Sequence, residues 1–211
     1  MASKANSRSV ASDRSGAGPR KGDTRSRILD VAERLVQVRG FNGFSYADVA
    51  TELAVTKASL HYHFPGKAEL GEALVARYAQ RFADALTAID ADMAEAPAKL
   101  GAYASLYTDV LREQRMCLCG MLAAEYETLA APIRDAVVAF LDDNEVWLER
   151  VLEQGRKDES LRFTGSSQET ARSIVSGLEG AMLVARPYGG VERFETAATQ
   201  LLASLAGTTL S

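Results

Sequence analysis

Apolar residues recur at three- and four-residue intervals along most of this chain and nowhere alternate strictly with polar ones, so the pattern predicts an all-α fold. Residues 24–39 put Ile28, Val31, Ala32, Leu35 and Val36 on one face, with Asp23 or Thr24 as cap and Gly40 just past the end. Ser45 caps a short helix carrying Val49, Ala50 and Leu53, and Ala54 and Val55 break it. Thr56 caps a shorter helix over residues 57–62, which Phe64, Pro65 and Gly66 stop. A long helix over residues 67–92 follows, marked by Leu70, Leu74, Tyr78, Phe82, Leu86 and Ile89. Beyond Pro97 the spacing predicts helices over residues 98–114, 117–129, 132–154, 167–186 and 191–206. Pro132 lies near a helix start, Gly155 after a helix end, and Ser166 with Glu169 has capping-box spacing. Pro187, Gly189 and Gly190 separate the last two helices.

The helix over residues 57–62 exposes Lys57, Ser59, His61 and Tyr62 and buries little besides Ala58 and Leu60. That suits a surface pressed into a nucleic-acid groove better than a core element. With its predecessor it forms two short helices joined by a tight turn, the helix-turn-helix arrangement. The long helix after it outruns a small domain, so it is expected to link that domain to the rest and to transmit a tilt. A chain of 211 residues with 47% apolar content fits one small domain and one of about twice the size. The expected division is a basic, disordered tail over residues 1–22, a DNA-binding domain over 23–70 and a helical domain over 71–211.

Charge supports that division. Residues 1–70 hold 11 Lys and Arg against 7 Asp and Glu, while residues 71–211 hold 13 against 21, a balance of +4 against −8. A basic amino-terminal part suits phosphate neutralisation, and an acidic remainder keeps DNA off the rest of the surface. Asymmetry of this size is also ordinary surface variation when no motif accompanies it. No apolar run approaches the roughly 18 residues of a membrane span. The first 22 residues lack the apolar centre of a signal peptide, so a cytoplasmic protein is expected.

Three pieces in order, TRSRILDVAERLVQVRGF, FSYADVATELAVTKASL and HYHFPGKAEL, resemble the TetR family of bacterial transcriptional regulators over residues 24–70. Two positions depart from the family pattern. Ala54 stands where the family usually has a turn glycine, and His61 and Tyr62 stand in the reverse of the commoner order. The resemblance implies an amino-terminal three-helix reading head and a larger helical domain that binds a ligand and dimerises. It implies a homodimer on a palindromic operator in double-stranded DNA, released by a small, mostly apolar effector whose identity the residues do not disclose.

Position on the motif assigns candidate DNA contacts. Thr56, Lys57, Ala58, Ser59 and His61 lie at the exposed start of the second helix, where side chains reach base edges. Ser45, Tyr46, Tyr62, His63 and Lys67 are placed to meet the duplex beside it, the last four as phosphate clamps. Arg25 and Arg27 add minor-groove or backbone contacts. His63 is alternatively a capping or core histidine.

In the larger domain the resemblance implies a pocket, for which Tyr103, Tyr107, Val110, Met121 and Tyr126, together with Phe140, Trp147 and Leu148, are the candidate walls. The competing assignment is core, since an aromatic stripe at helical spacing usually packs inward. The helix over residues 167–186 keeps one side small through Ser173, Ser176, Gly177, Gly180 and Ala181. In the resembled family the last two helices form a four-helix dimer interface, which adds Val184, Phe194, Leu201 and Leu205. The alternative is that these small residues accommodate a helix of the same chain.

Met116, Cys117, Cys119 and Met121 invite a soft-metal or redox role. Residues two apart on a helix point about 200° apart, which disfavours chelation or a disulfide between the cysteines. They are read as small apolar core residues, with Cys117 also on the ligand wall. The alternatives are modification by an electrophile or oxidant, helped by Arg115, and metal binding. A repressor sensing electrophiles through Cys117 or Cys119 is the second functional hypothesis, and a dimeric ligand binder with incidental DNA contact the third. Enzyme activity has little support: the two histidines, His61 and His63, sit on opposing faces of the reading head, and no phosphate-cradling loop or paired metal-ligand motif appears. No cofactor or metal is expected.

Overall fold

In the computed structural model, residues 21–205 are described. Nine α-helices and no strand occur among them. The predicted tail lies outside the described residues except for its last two positions, which are already helical. The first helix, α1 (Lys21–Arg39), starts three residues before the expected boundary. Ile28, Ala32, Leu35 and Val36 on it are buried. Gly40 ends it at φ +84°, donating its N–H to Val36 O at 2.8 Å, a left-handed position that favours glycine.

Ser45 precedes α2 (Tyr46–Leu53), and its N–H and hydroxyl both donate to the Asp48 carboxylate at 2.7 Å. Those bonds hold the Asp48 carboxyl below its usual range, with Arg39 adding to the effect. Ala54 occupies the turn at φ 54° and ψ 42°, the left-handed conformation that costs a residue with a Cβ about 1–2 kcal/mol. The departure from glycine therefore changes the strain of the turn and leaves its path intact. Thr56 caps α3 (Lys57–His63) by accepting the Ser59 N–H at 3.2 Å, and Leu60 and Phe64 bury its inner side.

The linking helix, α4 (Lys67–Asp92), covers the span expected of it. Next come α5 (Ala96–Arg112), α6 (Leu118–Ala124), α7 (Ala131–Lys157), α8 (Ser167–Ala185) and α9 (Val191–Ala203). α7 packs on α8 and α4, and α8 on α9. Pro97 and Pro132 fall in the first turns of α5 and α7, where a missing N–H leaves no bond unmade. The long helix expected over residues 117–129 is interrupted. Glu125 ends α6, and a single 3-10 turn (Tyr126–Thr128) follows, in which the Thr128 hydroxyl donates to Glu125 O at 2.7 Å in competition with the helix ladder. Gly155 does not stop α7. A Cβ there would meet Leu161 Cδ1 at 2.4 Å and Ala96 Cβ at 2.9 Å, so the glycine admits close packing.

Most of the aromatic residues expected around a ligand pack on one another. Tyr103 stacks on Trp147 at 5.6 Å, and Phe82 meets Tyr103, Tyr107 and Phe140 edge-on at 5.2–6.3 Å. Tyr103 Oη donates to Asn144 Oδ1 at 3.1 Å, Trp147 Nε1 donates to Asp90 at 3.0 Å, and Leu148 is fully buried. Among the described residues no helix is long and apolar enough to cross a membrane.

Candidate nucleic-acid interface

α3 stands proud of the head. Thr56, Lys57, Ala58, His61 and Tyr62 are exposed, Ser59 is half-buried, and Lys57 has no ion-pair partner among the described residues. The sequence folds this way locally because Leu60 is the one apolar anchor between two capping turns. His61 Nδ1 lies 3.0 Å from Pro65 O, which can only accept, so the ring proton sits on Nδ1 and Nε2 remains as the other polar atom. Tyr62 is 66% exposed, with the half-buried His63 ring edge-on to it at 5.3 Å. Arg25 lies over the Phe64 ring at 4.9 Å, and Arg27 is half-buried.

Two expected phosphate clamps are otherwise engaged. The Tyr46 hydroxyl lies 2.9 Å from Phe64 O and 2.6 Å from Gly66 O, tying the start of α2 to the α3–α4 turn. Burial, followed by the nearby Glu69 charge, pushes its phenol up to about 12. Lys67 Nζ donates to Phe41 O and, at 2.6 Å, to Phe44 O, with the Phe44 ring 4.2 Å away. Burial pulls its pKa down. Tyr46 thereby braces the end of α3, and Lys67 braces the α1–α2 turn. Ser45 likewise directs its hydroxyl to Asp48.

The sequence pattern missed a second set of residues, which joins the head to the helical body. Glu125 accepts the N–H of Phe41 at 2.6 Å and of Asn42 at 3.2 Å, at the turn between α1 and α2. Asn42 Nδ2 donates to the Thr128 hydroxyl at 2.7 Å, Met116 N donates to Gln37 O at 3.2 Å, and Arg186 donates to Val38 O. These contacts bridge up to 148 positions, and such partnerships leave no periodic trace in a sequence. Glu125→Ala is expected to lower unfolding free energy by about 1–3 kcal/mol, since it leaves the N–H of the buried Phe41 without its acceptor. Denaturant titration checks this, and a change below about 0.5 kcal/mol contradicts the anchoring role.

In the helical body, Cys117 and Met121 do line a cavity of about 300 Å³, with Leu141, Val175 and Glu179. Tyr103, Tyr107, Phe140, Trp147 and Leu148 do not. Val110 is half-buried outside it, and Tyr126 is exposed beneath the Arg134 guanidinium at 5.6 Å. Both cysteines are buried and free. Burial pushes both thiols well up, with Glu179 adding to the effect, and Arg115 pairs with Glu113 at 3.2 Å rather than favouring a thiolate. Among the described residues no cluster could hold a metal ion.

The small side of α8 is divided. A Cβ on Gly177 would meet Leu201 Cδ2 at 2.8 Å, and Phe194 and Leu205 are buried within the protomer. These residues pack α9 onto α8 of the same chain, and Leu201 and Ala181 are half-buried there. Ser173, Gly180, Leu183 and Val184 are exposed, with open space around Gly180.

A short exposed helix braced by two partners, set on a larger helical body through shared hydrogen bonds, defines a helix-turn-helix transcriptional regulator. Residues 28–74 match the family model for bacterial regulatory proteins of the tetR family, and residues 96–201 match the tetracyclin repressor-like C-terminal domain. The chain belongs to the TetR family and is a DNA-binding transcriptional regulator. It is 30% identical over 173 residues to the HTH-type transcriptional regulator LmrA of Bacillus subtilis, covering 77% of this chain and 86% of LmrA. Among solved structures it is similar to a TetR family regulator from Agrobacterium tumefaciens (28% identity, TM-score 0.85, 88% of this chain and 99% of that one). A TetR regulator from Legionella pneumophila is likewise similar (32% identity, TM-score 0.79, 86% and 97%).

Proposed function

We propose that this regulator is a cytoplasmic repressor, that it binds a palindromic operator as a homodimer, and that a small, largely apolar effector releases it. The observation that carries this reading is the bridge at Glu125. The residue that ends α6, a wall of the cavity, also accepts the N–H groups at the end of α1. Occupancy of the helical body and orientation of the head therefore share one element. Residues 23–70 act as the reading head and residues 71–211 as the effector and dimerisation domain. The exposed α8 residues Gly180, Leu183 and Val184 offer an apolar face to a second copy.

In this reading Thr56, Lys57, Ala58, Ser59 and His61 meet base edges, and Tyr62, His63, Arg25 and Arg27 position the backbone. Lys57→Ala is expected to weaken operator binding by about 1 kcal/mol or more and to flatten its salt dependence. A fluorescence titration across salt concentrations that shows affinity and slope unchanged would remove Lys57 from the interface. Linkage requires that an effector lowering DNA affinity be bound less tightly, by the same factor, when DNA is present. Sensing through Cys117 or Cys119 draws no support from the geometry, because a buried neutral thiol beside a carboxylate is a poor nucleophile.

A further inference from the structure

The cavity between α6, α7 and α8 has apolar walls, among them Met116, Met121, Leu141 and Val175, and one charged residue, Glu179, among the described residues lining it. Glu179 Oε1 is shielded from solvent and has no hydrogen-bond partner there. The other carboxylate oxygen faces α6: a Cβ on Gly120 would stand 2.2 Å from Oε2, so the carboxylate lies in the space that the glycine leaves open. The neighbouring Cys117 thiol is a weak donor, and burial raises the Glu179 carboxyl despite it. Among the described residues no Lys, Arg or His lines the cavity. A carboxylate enclosed without a cation or a full set of donors is costly, and a ligand that supplies one recovers that cost on binding.

We infer that this cavity binds an apolar molecule bearing a single amine, with the ammonium N–H donating to the Glu179 carboxylate and the hydrocarbon filling the space between α6 and α8. This rests on the effector reading above and gives it a ligand class. Its route to DNA is short. The far end of α6 is Glu125, which accepts from the α1–α2 turn, and Arg186 at the end of α8 donates to both Met121 Sδ, at 3.5 Å, and Val38 O. A ligand that parts α6 from α8 moves the head's attachment on both sides.

The test uses three probes of one skeleton, phenylbutylamine, phenylbutanol and phenylbutyrate, titrated calorimetrically into the full chain at neutral pH without DNA. The amine is expected to bind about tenfold more tightly than the alcohol, and the carboxylate most weakly. Glu179→Gln is expected to erase the preference while alcohol binding persists, which also shows that the variant is folded. Equal binding of amine and alcohol to the unaltered protein overturns the site, with no variant needed. So does an amine preference that survives in Glu179→Gln. Operator affinity is then measured with the amine present. If the amine is preferred but DNA is retained, the site stands and the induction reading fails; if neither probe is preferred yet another molecule releases DNA, the reverse holds.

Discussion

Tyr103→Ala is expected to lower unfolding free energy by about 3–5 kcal/mol, the range for truncating a buried aromatic side chain. Tyr103 is fully buried. Its ring stacks on Trp147 and meets Phe82 edge-on at 6.0 Å, and its hydroxyl sits 3.2 Å from that of Tyr107 while donating to Asn144. Truncation removes the ring from the centre of the α4–α5–α7 cluster and leaves the Asn144 carbonyl oxygen without this donor. Tyr103→Phe keeps the ring and is expected to cost only about 1 kcal/mol, the worth of a hydrogen bond. Denaturant titration at fixed protein concentration separates the two. Were Tyr103 a cavity wall, the alanine variant would lose well under about 2 kcal/mol and would gain room for larger ligands.

The second large effect lies where α1 meets α4. The Glu33 side chain is only 8% exposed and accepts from Arg77 at 2.9 Å and from Arg81. Breaking a buried pair by removing one partner costs about 3–5 kcal/mol. Arg77 keeps Asp30 at 2.7 Å and Arg81 is half-exposed, so Glu33→Ala is expected to cost less, about 2–3 kcal/mol. Operator affinity is expected to fall with it, because the head is then held to α4 by fewer bonds. Stability within about 0.5 kcal/mol of the original contradicts this.

Helices were legible because their cause is local. The stripe through Leu70, Leu74, Tyr78, Leu86 and Ile89, with Gly66 before it, sets α4 at Lys67–Asp92 as the spacing predicts. The exposed start of α3 was legible for the same reason: Leu60 is its one buried residue. What the sequence could not disclose depends on distant partners. Aromatic residues at helical spacing carry the same signal whether they enclose a ligand or each other, and only the meeting of Phe82 with Tyr103 and Phe140 decides between them. Gly155 looked like a helix end because the leucine that needs its missing Cβ, Leu161, approaches after the chain has turned back. The bonds from Lys67 to the Phe41 and Phe44 carbonyls were equally hidden, because a free lysine and one donating to two carbonyls share one letter. Glu125 carries no motif at all, yet it joins the α1–α2 turn to the helical body.

The DNA that the full chain selects is the most direct test of a dimeric reader built on α3. Purified protein is incubated with a pool of randomised duplexes at moderate salt, and the retained sequences are read. An inverted repeat is predicted, with half-sites centred about one helical turn apart, roughly 34–36 Å. Retention without sequence preference, or of a single unrepeated site, would contradict a dimeric reader built on α3.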